Sequence, residues 1–240
     1  MSEFSSGRDK EAYVEGLFSS IASKYDLLNT VLSLTRHKAW RRFAVSKSRL
    51  KRGGRALDVC CGTGDFAFEL ARRVGDDGEV VGVDFSAPMI DLARKKSARG
   101  RWGNVSFIVA NACSIPFEES SFDCVTVGFG LRNVADVGEA LREMARVTKP
   151  GGTVISLEIS RVESGILSLP WKLYFYALTP YTAVLFRARR SAYEYLPRSV
   201  RGFMSREQLV GEFEHCGLRD VETFNLMFGA VCVHVGRKPE

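Results

Sequence analysis

Metal-binding and disulfide signatures are what this chain most plainly lacks. Among its 240 residues there are three histidines, and its six cysteines show no C-x-x-C spacing. Metal-free chemistry and a reducing compartment are therefore expected. The adjacent Cys60 and Cys61 would point to opposite faces of a strand and make a poor metal or redox pair. A long apolar run is missing too. The longest, Leu167 to Phe186, is broken by Pro170, Lys172 and Pro180, which argues against a spanning helix. The opening MSEFSSGRDKEAYVEG mixes acids and bases without an apolar core, which excludes a secretory signal and predicts a cytoplasmic protein.

What is present fits one well-filled domain. A content of 45% hydrophobic and 26% charged residues with 22 glycines is that of a soluble globular protein able to bury a full core. The net charge of +6 is unevenly placed, because Arg36 to Arg55 carries nine Lys or Arg and no acid. A solvated helix face, an anionic membrane and a nucleic acid each explain that stretch.

From residue 55 onward, short β-branched runs alternate with amphipathic stretches, the pattern of βαβ units on a mostly parallel sheet. The predicted strands are RALDVC, EVVGVDF, VSFIVANA, FDCVTVGF, TVISLEIS, DVETFNLMF and AVCVHVGRK. Helices are predicted near 65–74, 87–99, 136–148 and 206–216, with Ser86 and Pro88 starting the second. The last two strands are joined only around Gly229, too short for a crossover helix, so they must run antiparallel. A parallel sheet ended by one antiparallel hairpin marks the methyltransferase variant of the doubly wound α/β fold. Helical stretches at 10–23 and 38–49 and a non-sheet segment at 163–200 are added to it. The chain divides into an N-terminal helical substrate region (1–52), a cofactor core (53–160), a lid insertion (161–203) and a closing helix with hairpin (204–240).

The glycine turn of Leu57-Asp58-Val59-Cys60-Cys61-Gly62-Thr63-Gly64-Asp65 lies between the first strand and the first helix. The Gly62-x-Gly64-x-x-Ala67 spacing alone also satisfies a dinucleotide fingerprint. Charge separates the two readings. A pyrophosphate needs a helix N-terminus free of anions, whereas Asp58 and Asp65 flank this turn and suit the ammonium and sulfonium of S-adenosylmethionine. Asp84, with Phe85 beside it, closes the second strand and is placed to accept from ribose hydroxyls; its alternative is a helix N-cap. Asn111 and Ala112 end the third strand, where an amide and a backbone N–H can read adenine, unless Asn111 is a simple turn residue. Gly128 ends the fourth as a small residue beside the cofactor. Gly62, Thr63 and Gly64 complete the expected cofactor set.

Several blocks together resemble the ubiquinone/menaquinone biosynthesis C-methyltransferase family over nearly the whole chain. They are Ile21-Ala22-x-x-Tyr25-Asp26-x-x-Asn29, the glycine turn, Phe129-Gly130-Leu131-Arg132-Asn133, Arg146-Val147-x-Lys149-Pro150-Gly151-Gly152, Leu157-Glu158-x-Ser160 and Tyr193-x-Tyr195-Leu196. The resemblance implies a class I methyltransferase fold that uses S-adenosylmethionine to methylate a ring carbon of a reduced polyprenyl quinone precursor. The expected substrate is 2-demethylmenaquinol; the alternatives are a 2-methoxy-6-polyprenyl-1,4-benzoquinol and another small lipophilic molecule. Arg132 is then expected to stabilise the developing phenolate, with Asn133 and Tyr25 holding the quinol oxygens. The competing readings are that Arg132 pairs with an acid and Tyr25 packs. His37 is the one histidine placed to be a base, and is equally read as structural.

The apolar ILSLPWKLYFYALTPYTAVLF, followed by Arg187, Arg189 and Arg190, fits a lid over an isoprenoid tail or a peripheral membrane contact. A helical subdomain packed on the sheet edge is its plainer reading. A homodimer and a quinone-biosynthesis complex both stay open. Nucleic acid is not an expected partner: the N-P-P-Y platform of an amino-group methylase is absent. The chain departs from the family's usual pattern at Thr35 and Ala183, where glycine is usual, and at Cys113, where an acid is.

Overall fold

The computed structural model describes residues 6–100, 102–161 and 190–240. Its centre is a seven-stranded sheet of β1 (Arg55–Val59), β2 (Glu79–Asp84), β3 (Val105–Val109), β4 (Phe122–Gly128), β5 (Thr148–Ile159), β6 (Arg219–Leu226) and β7 (Val231–Arg237). The spatial order is β3-β2-β1-β4-β5-β7-β6. All pairs are parallel except β5 with β7 and β7 with β6, so the expected closing hairpin is present.

The helices in chain order are α1 (Gly7–Ile21), α2 (Tyr25–Leu32), α3 (His37–Ser46), α4 (Asp65–Val74), α5 (Ala87–Arg99), α6 (Val137–Val147), α7 (Arg190–Gly202) and α8 (Arg206–His215). One face of the sheet buries Val45, Phe66, Leu70 and Ile90 from α3, α4 and α5. The other buries Leu141, Met144, Leu209 and Phe213 from α6 and α8. Each such fully buried side chain contributes roughly 1.5–3 kcal/mol of transfer free energy. The sheet is therefore a two-sided platform whose carboxyl edge is held rigidly.

Three boundaries differ from the sequence reading. α2 was not foreseen, because its eight residues present too short a pattern to separate from α1; a single 3-10 turn, Ala22–Lys24, divides them. β3 stops at Val109, and Asn111 instead bridges to Ser114. β5 begins at Thr148, so the Lys149-Pro150-Gly151-Gly152 stretch, which the expected strand TVISLEIS leaves out, belongs to the strand. The turn between α2 and α3 places Thr35 at φ 65. That left-handed conformation is where glycine is free and a β-branched residue is strained, which accounts physically for the glycine common at this position.

Among the described residues no helix is long and apolar enough to cross a membrane. The apolar run at 166–186, expected as a lid, lies outside the described residues.

Candidate functional site

A cleft of about 660 Å³ opens at the carboxyl ends of the first four strands, where open α/β sheets take ligands. Gly62, Asp84, Phe85, Asn111, Ala112 and Gly128 line it, joined by Glu11 of α1 and Tyr25 of α2. The chain turns into the cleft because Cys60, Gly62 and Gly64 are all left-handed, at φ 55, 54 and 87. A Cβ on Gly64 would come within 2.7 Å of the Phe107 ring, so only glycine fits there.

Asp84 organises this turn. Its two carboxylate oxygens accept from the Gly62 and Ser86 N–H groups, each at 2.9 Å. Ser86, not Asp84, is the N-cap of α5, which removes the cap reading. Burial pushes the Asp84 carboxyl up, and these two N–H groups oppose the shift. Each oxygen retains a lone pair for a further donor. Asn111 makes the contact of a turn residue, its Oδ1 accepting from the Cys113 N–H at 2.8 Å, and it lines the cleft. Its Nδ2 donates to Glu11 Oε1 at 2.9 Å. Glu11 had no sequence signal beyond its place on an N-terminal helix.

The electrostatics of the cleft decide what it can hold. No Lys, Arg or His is among its described lining residues, whereas Glu11 and Asp84 are. The thiol of Cys60, on the same wall, is pushed well above its ordinary value by burial and then by Asp84, Asp58 and Glu158. Such a field repels a pyrophosphate and suits an adenosyl group that carries a cation.

Four expected residues sit off this wall. Asp58 is 1% exposed; one oxygen accepts from the Thr126 hydroxyl at 3.0 Å, and burial lifts the carboxyl to about 7, with Thr126 opposing the shift. Thr63 is turned away by its bonds to Asp26 and Lys96. Gly64 packs on Phe107 and Phe68. Asp65, taken from the sequence as a second acid for the cofactor, instead meets Lys96 at 2.7 Å and Arg41 at 3.5 Å. Burial raises its carboxyl, but Arg41 and Lys96 outweigh burial and hold it below its ordinary value. The charge argument stands on Asp84 and Glu11, which line the cleft, and not on Asp65.

A second cleft of about 1030 Å³ adjoins the first and shares Phe18, Tyr25 and Phe129 with it. Its walls are largely apolar: Leu17 and Ile21 of α1, Leu28 and Leu32 of α2, Trp40 of α3, Leu196 of α7, and Ile159 and Val231 of the sheet. Polar groups also line it, and one of them stands at the junction. Tyr25 is there, its hydroxyl pushed up by burial, with Asn29 opposing that shift. Asn29 lies one turn further along α2, lines this cleft, and its Nδ2 makes no hydrogen bond of good geometry among the described residues. It shares a helix face with Tyr25, and that i,i+4 spacing was its available signal.

Arg132 enters the same wall. Its Nη1 donates to Glu158 Oε2 at 2.8 Å and to the Phe129 carbonyl at 2.6 Å, leaving the buried Nε without a partner among the described residues. Pairing with an acid, the plainer expectation for Arg132, is thus observed. Asn133 donates to the Phe129 carbonyl at 3.2 Å and accepts from the Tyr195 hydroxyl at 3.0 Å. Phe129 itself holds a left-handed φ of 60, a strained state of the kind found at working sites. Gly130 permits it, since a Cβ there would meet Cys60 at 2.5 Å.

His37 is buried, with Nδ1 against Arg41 and Nε2 3.4 Å from the Thr30 hydroxyl. Burial and then Arg41 lower it to about 4, so its imidazole is neutral near pH 7.

Comparison with known proteins agrees with this geometry. Residues 7–238 match the ubiE/COQ5 methyltransferase family model. Demethylmenaquinone methyltransferases of Shouchella clausii (strain KSM-K16) and Bacillus cereus (strain ATCC 10987 / NRS 248) are 38% and 41% identical to the chain. Each alignment covers 97% of the chain, with 99% and 98% of the relatives. Among solved structures, a SAM-dependent methyltransferase from Aquifex aeolicus superposes with a TM-score of 0.64 at 17% identity, over 88% of this chain and 96% of that one. Haemonchus contortus phosphoethanolamine N-methyltransferase 2 in complex with S-adenosyl-L-methionine gives 0.58 at 18% identity, over 83% and 52%. These structures share the fold. The chain belongs to the ubiE/COQ5 methyltransferase family and is an S-adenosylmethionine-dependent methyltransferase.

Proposed function

We propose that this enzyme methylates a ring carbon of reduced demethylmenaquinone. The observation that carries the proposal is the junction of an anionic polar cleft with a larger apolar one, a pairing suited to a cationic methyl donor beside a lipid-soluble acceptor. The relatives named demethylmenaquinone methyltransferase support the identity of the acceptor.

In the polar cleft, Asp84 would accept from the ribose hydroxyls and Ala112 N–H and Glu11 would read the adenine edge. Phe85 and Gly128 would flank the rings, and Gly62 would bring the turn close. Asp58, Thr63 and Gly64 shape that turn from behind. S-adenosylmethionine supplies an activated methyl on a sulfonium, a good leaving group needing no covalent help from the protein. The chain's own task is to orient the ring carbon and to stabilise the oxygen that becomes a phenolate.

Arg132 suits that oxygen. Glu158 and the Phe129 carbonyl fix its guanidinium in the wall of the apolar cleft, where low dielectric strengthens the attraction to an anion. Tyr25, Asn29 and Asn133 would hold the quinol oxygens. His37 is a poor base for a phenol whose ordinary pKa is about 10, because its own lies near 4; it anchors α3 instead.

A membrane surface is the proposed source of the quinol. Leu27 and Leu34 stand 49% and 65% exposed, on and just after the helix that walls the apolar cleft, and the exposed Arg36, Lys38 and Arg42 follow. Turnover of 2-demethylmenaquinol beside a 2-methoxy-6-polyprenyl-1,4-benzoquinol tests the assignment. Preference for the former is expected; preference for the latter would assign the enzyme to the ubiquinone branch. Flotation with anionic vesicles tests the membrane contact, and failure to float would remove it.

A further inference from the structure

Lys96 stands on α5 and lines neither cleft, yet three elements converge on its ammonium nitrogen. It donates to Asp26 Oδ2 at 2.9 Å, to Asp65 Oδ1 at 2.7 Å and to Thr63 Oγ1 at 3.1 Å. Those three acceptors use all three donors of a lysine. The Thr63 hydroxyl donates in turn to Asp26 Oδ1. Asp65 also meets Arg41 at 3.5 Å and lies 4.0 Å from His37, which brings α3 into the same network.

The positions of these partners along the chain give the network its meaning. Asp26 directly follows Tyr25, and Thr63 directly follows Gly62. Tyr25 and Gly62 are the residues by which α2 and the glycine turn reach the cofactor cleft. Tyr25 also lines the apolar cleft, with Asn29 one turn on. The ionic network therefore grips the residues immediately behind the contact between the two clefts.

We propose that Lys96 is the positioning residue that couples the two clefts, holding the quinol-binding face of α2 in register with the glycine turn under the methyl donor. The inference rests on reading the clefts as those of cofactor and quinol. A compact ammonium is the right group for the position, because it neutralises two carboxylates at one point. Without it, Asp26 and Asp65, each within 3 Å of the same nitrogen, face one another as like charges. The weaker-held partner would give way. That partner is α2: among the described residues the Asp26 carboxylate is tied otherwise through Thr63, whereas Asp65 keeps Arg41 and its place in α4.

The test compares wild type, Lys96→Met and Lys96→Met/Asp26→Asn. Methionine keeps a stem of similar length and removes the charge, which lies 5.8 Å from the Phe68 ring centroid; Asp26→Asn then removes the repulsion and keeps an acceptor for Thr63. Calorimetry with S-adenosylhomocysteine and steady-state turnover of demethylmenaquinol are the readouts. For Lys96→Met, cofactor affinity is expected to stay within about threefold while kcat falls by about 30-fold, as an ångström-scale misplacement would cost. The double variant is expected to recover most of kcat. Equal losses of affinity and kcat in Lys96→Met, or no recovery in the double variant, would overturn the inference. Should Lys96→Met fail to fold, the double variant alone decides: near-normal kcat supports the coupling and a 30-fold loss refutes it. Absence of cofactor binding or turnover in wild type would instead defeat the reading of the clefts.

Discussion

The two clefts share Tyr25 and Phe129 but are built by opposite means. The polar cleft comes from strand ends and the tight turns after them, where backbone N–H groups fix Asp84 and left-handed residues aim the loop. The apolar cleft is assembled from α1, α2, α3, α7 and the sheet's β5–β7 edge, segments far apart in the chain. Binding strength should therefore reside in the first and reaction rate in the second.

The sharpest way to break that division is Arg132→Lys. The charge beside Glu158 persists, but the planar guanidinium and its Nε–H are lost. A fall in kcat of about 10²–10³-fold is expected, the cost of removing a donor from a developing anion, with cofactor affinity unchanged by calorimetry. Loss of affinity instead would place Arg132 in the cofactor cleft. Asp84→Ala should do the reverse. Cofactor affinity is expected to drop by about 100-fold, since two N–H groups and two ribose hydroxyls lose a charged acceptor; unchanged affinity would remove Asp84 from the site.

Glu11 extends the comparison, being a cofactor-cleft residue supplied by the helix that also walls the apolar cleft. If its carboxylate accepts from the adenine amino group, Glu11→Ala should weaken S-adenosylhomocysteine by about tenfold. The variant should also lose the wild-type preference over S-inosylhomocysteine, which lacks that amino group. A preference retained in full would show that Glu11 serves Asn111 alone.

These contrasts also explain what the sequence made legible. The strands, the hairpin and most of the polar cleft are local: Asp84 and Gly128 end strands, Gly62 and Asn111 follow strand ends within three residues, and a strand end is visible in a hydrophobic pattern. Asp65 misled because a carboxylate beside a glycine turn looks free until the tertiary structure brings Lys96 and Arg41 to it. Lys96 gave no sequence signal at all, since a lysine on an amphipathic helix looks like solvent exposure. Asn29 and Tyr25 stood out in a family block and in their i,i+4 spacing, while the brief α2 that carries them merges with α1 in a periodicity window.

Asp58 separates structural from binding acids. Its carboxyl is raised from 3.8 to about 7 in the fold, so its contribution to stability is full below 3.8 and is lost as pH rises through 7. Asp58→Asn should therefore raise the melting temperature by a few degrees at pH 8, with the gain shrinking toward pH 5, while cofactor affinity changes little. A large affinity loss would return Asp58 to the binding set. The smallest effect is expected at Thr35, whose φ of 65 suits glycine; Thr35→Gly should stabilise the chain by about 1 kcal/mol in denaturant melts.

The central claim is that an electron-rich ring carbon, activated beside Arg132, takes the methyl from the polar cleft. Transfer of an isotopically labelled methyl from S-adenosylmethionine to reduced and to oxidised demethylmenaquinone, followed by mass spectrometry of the ring, tests it directly. Label on the ring carbon of the reduced form alone is the expected result. Equal labelling of both forms, or of neither, would contradict it.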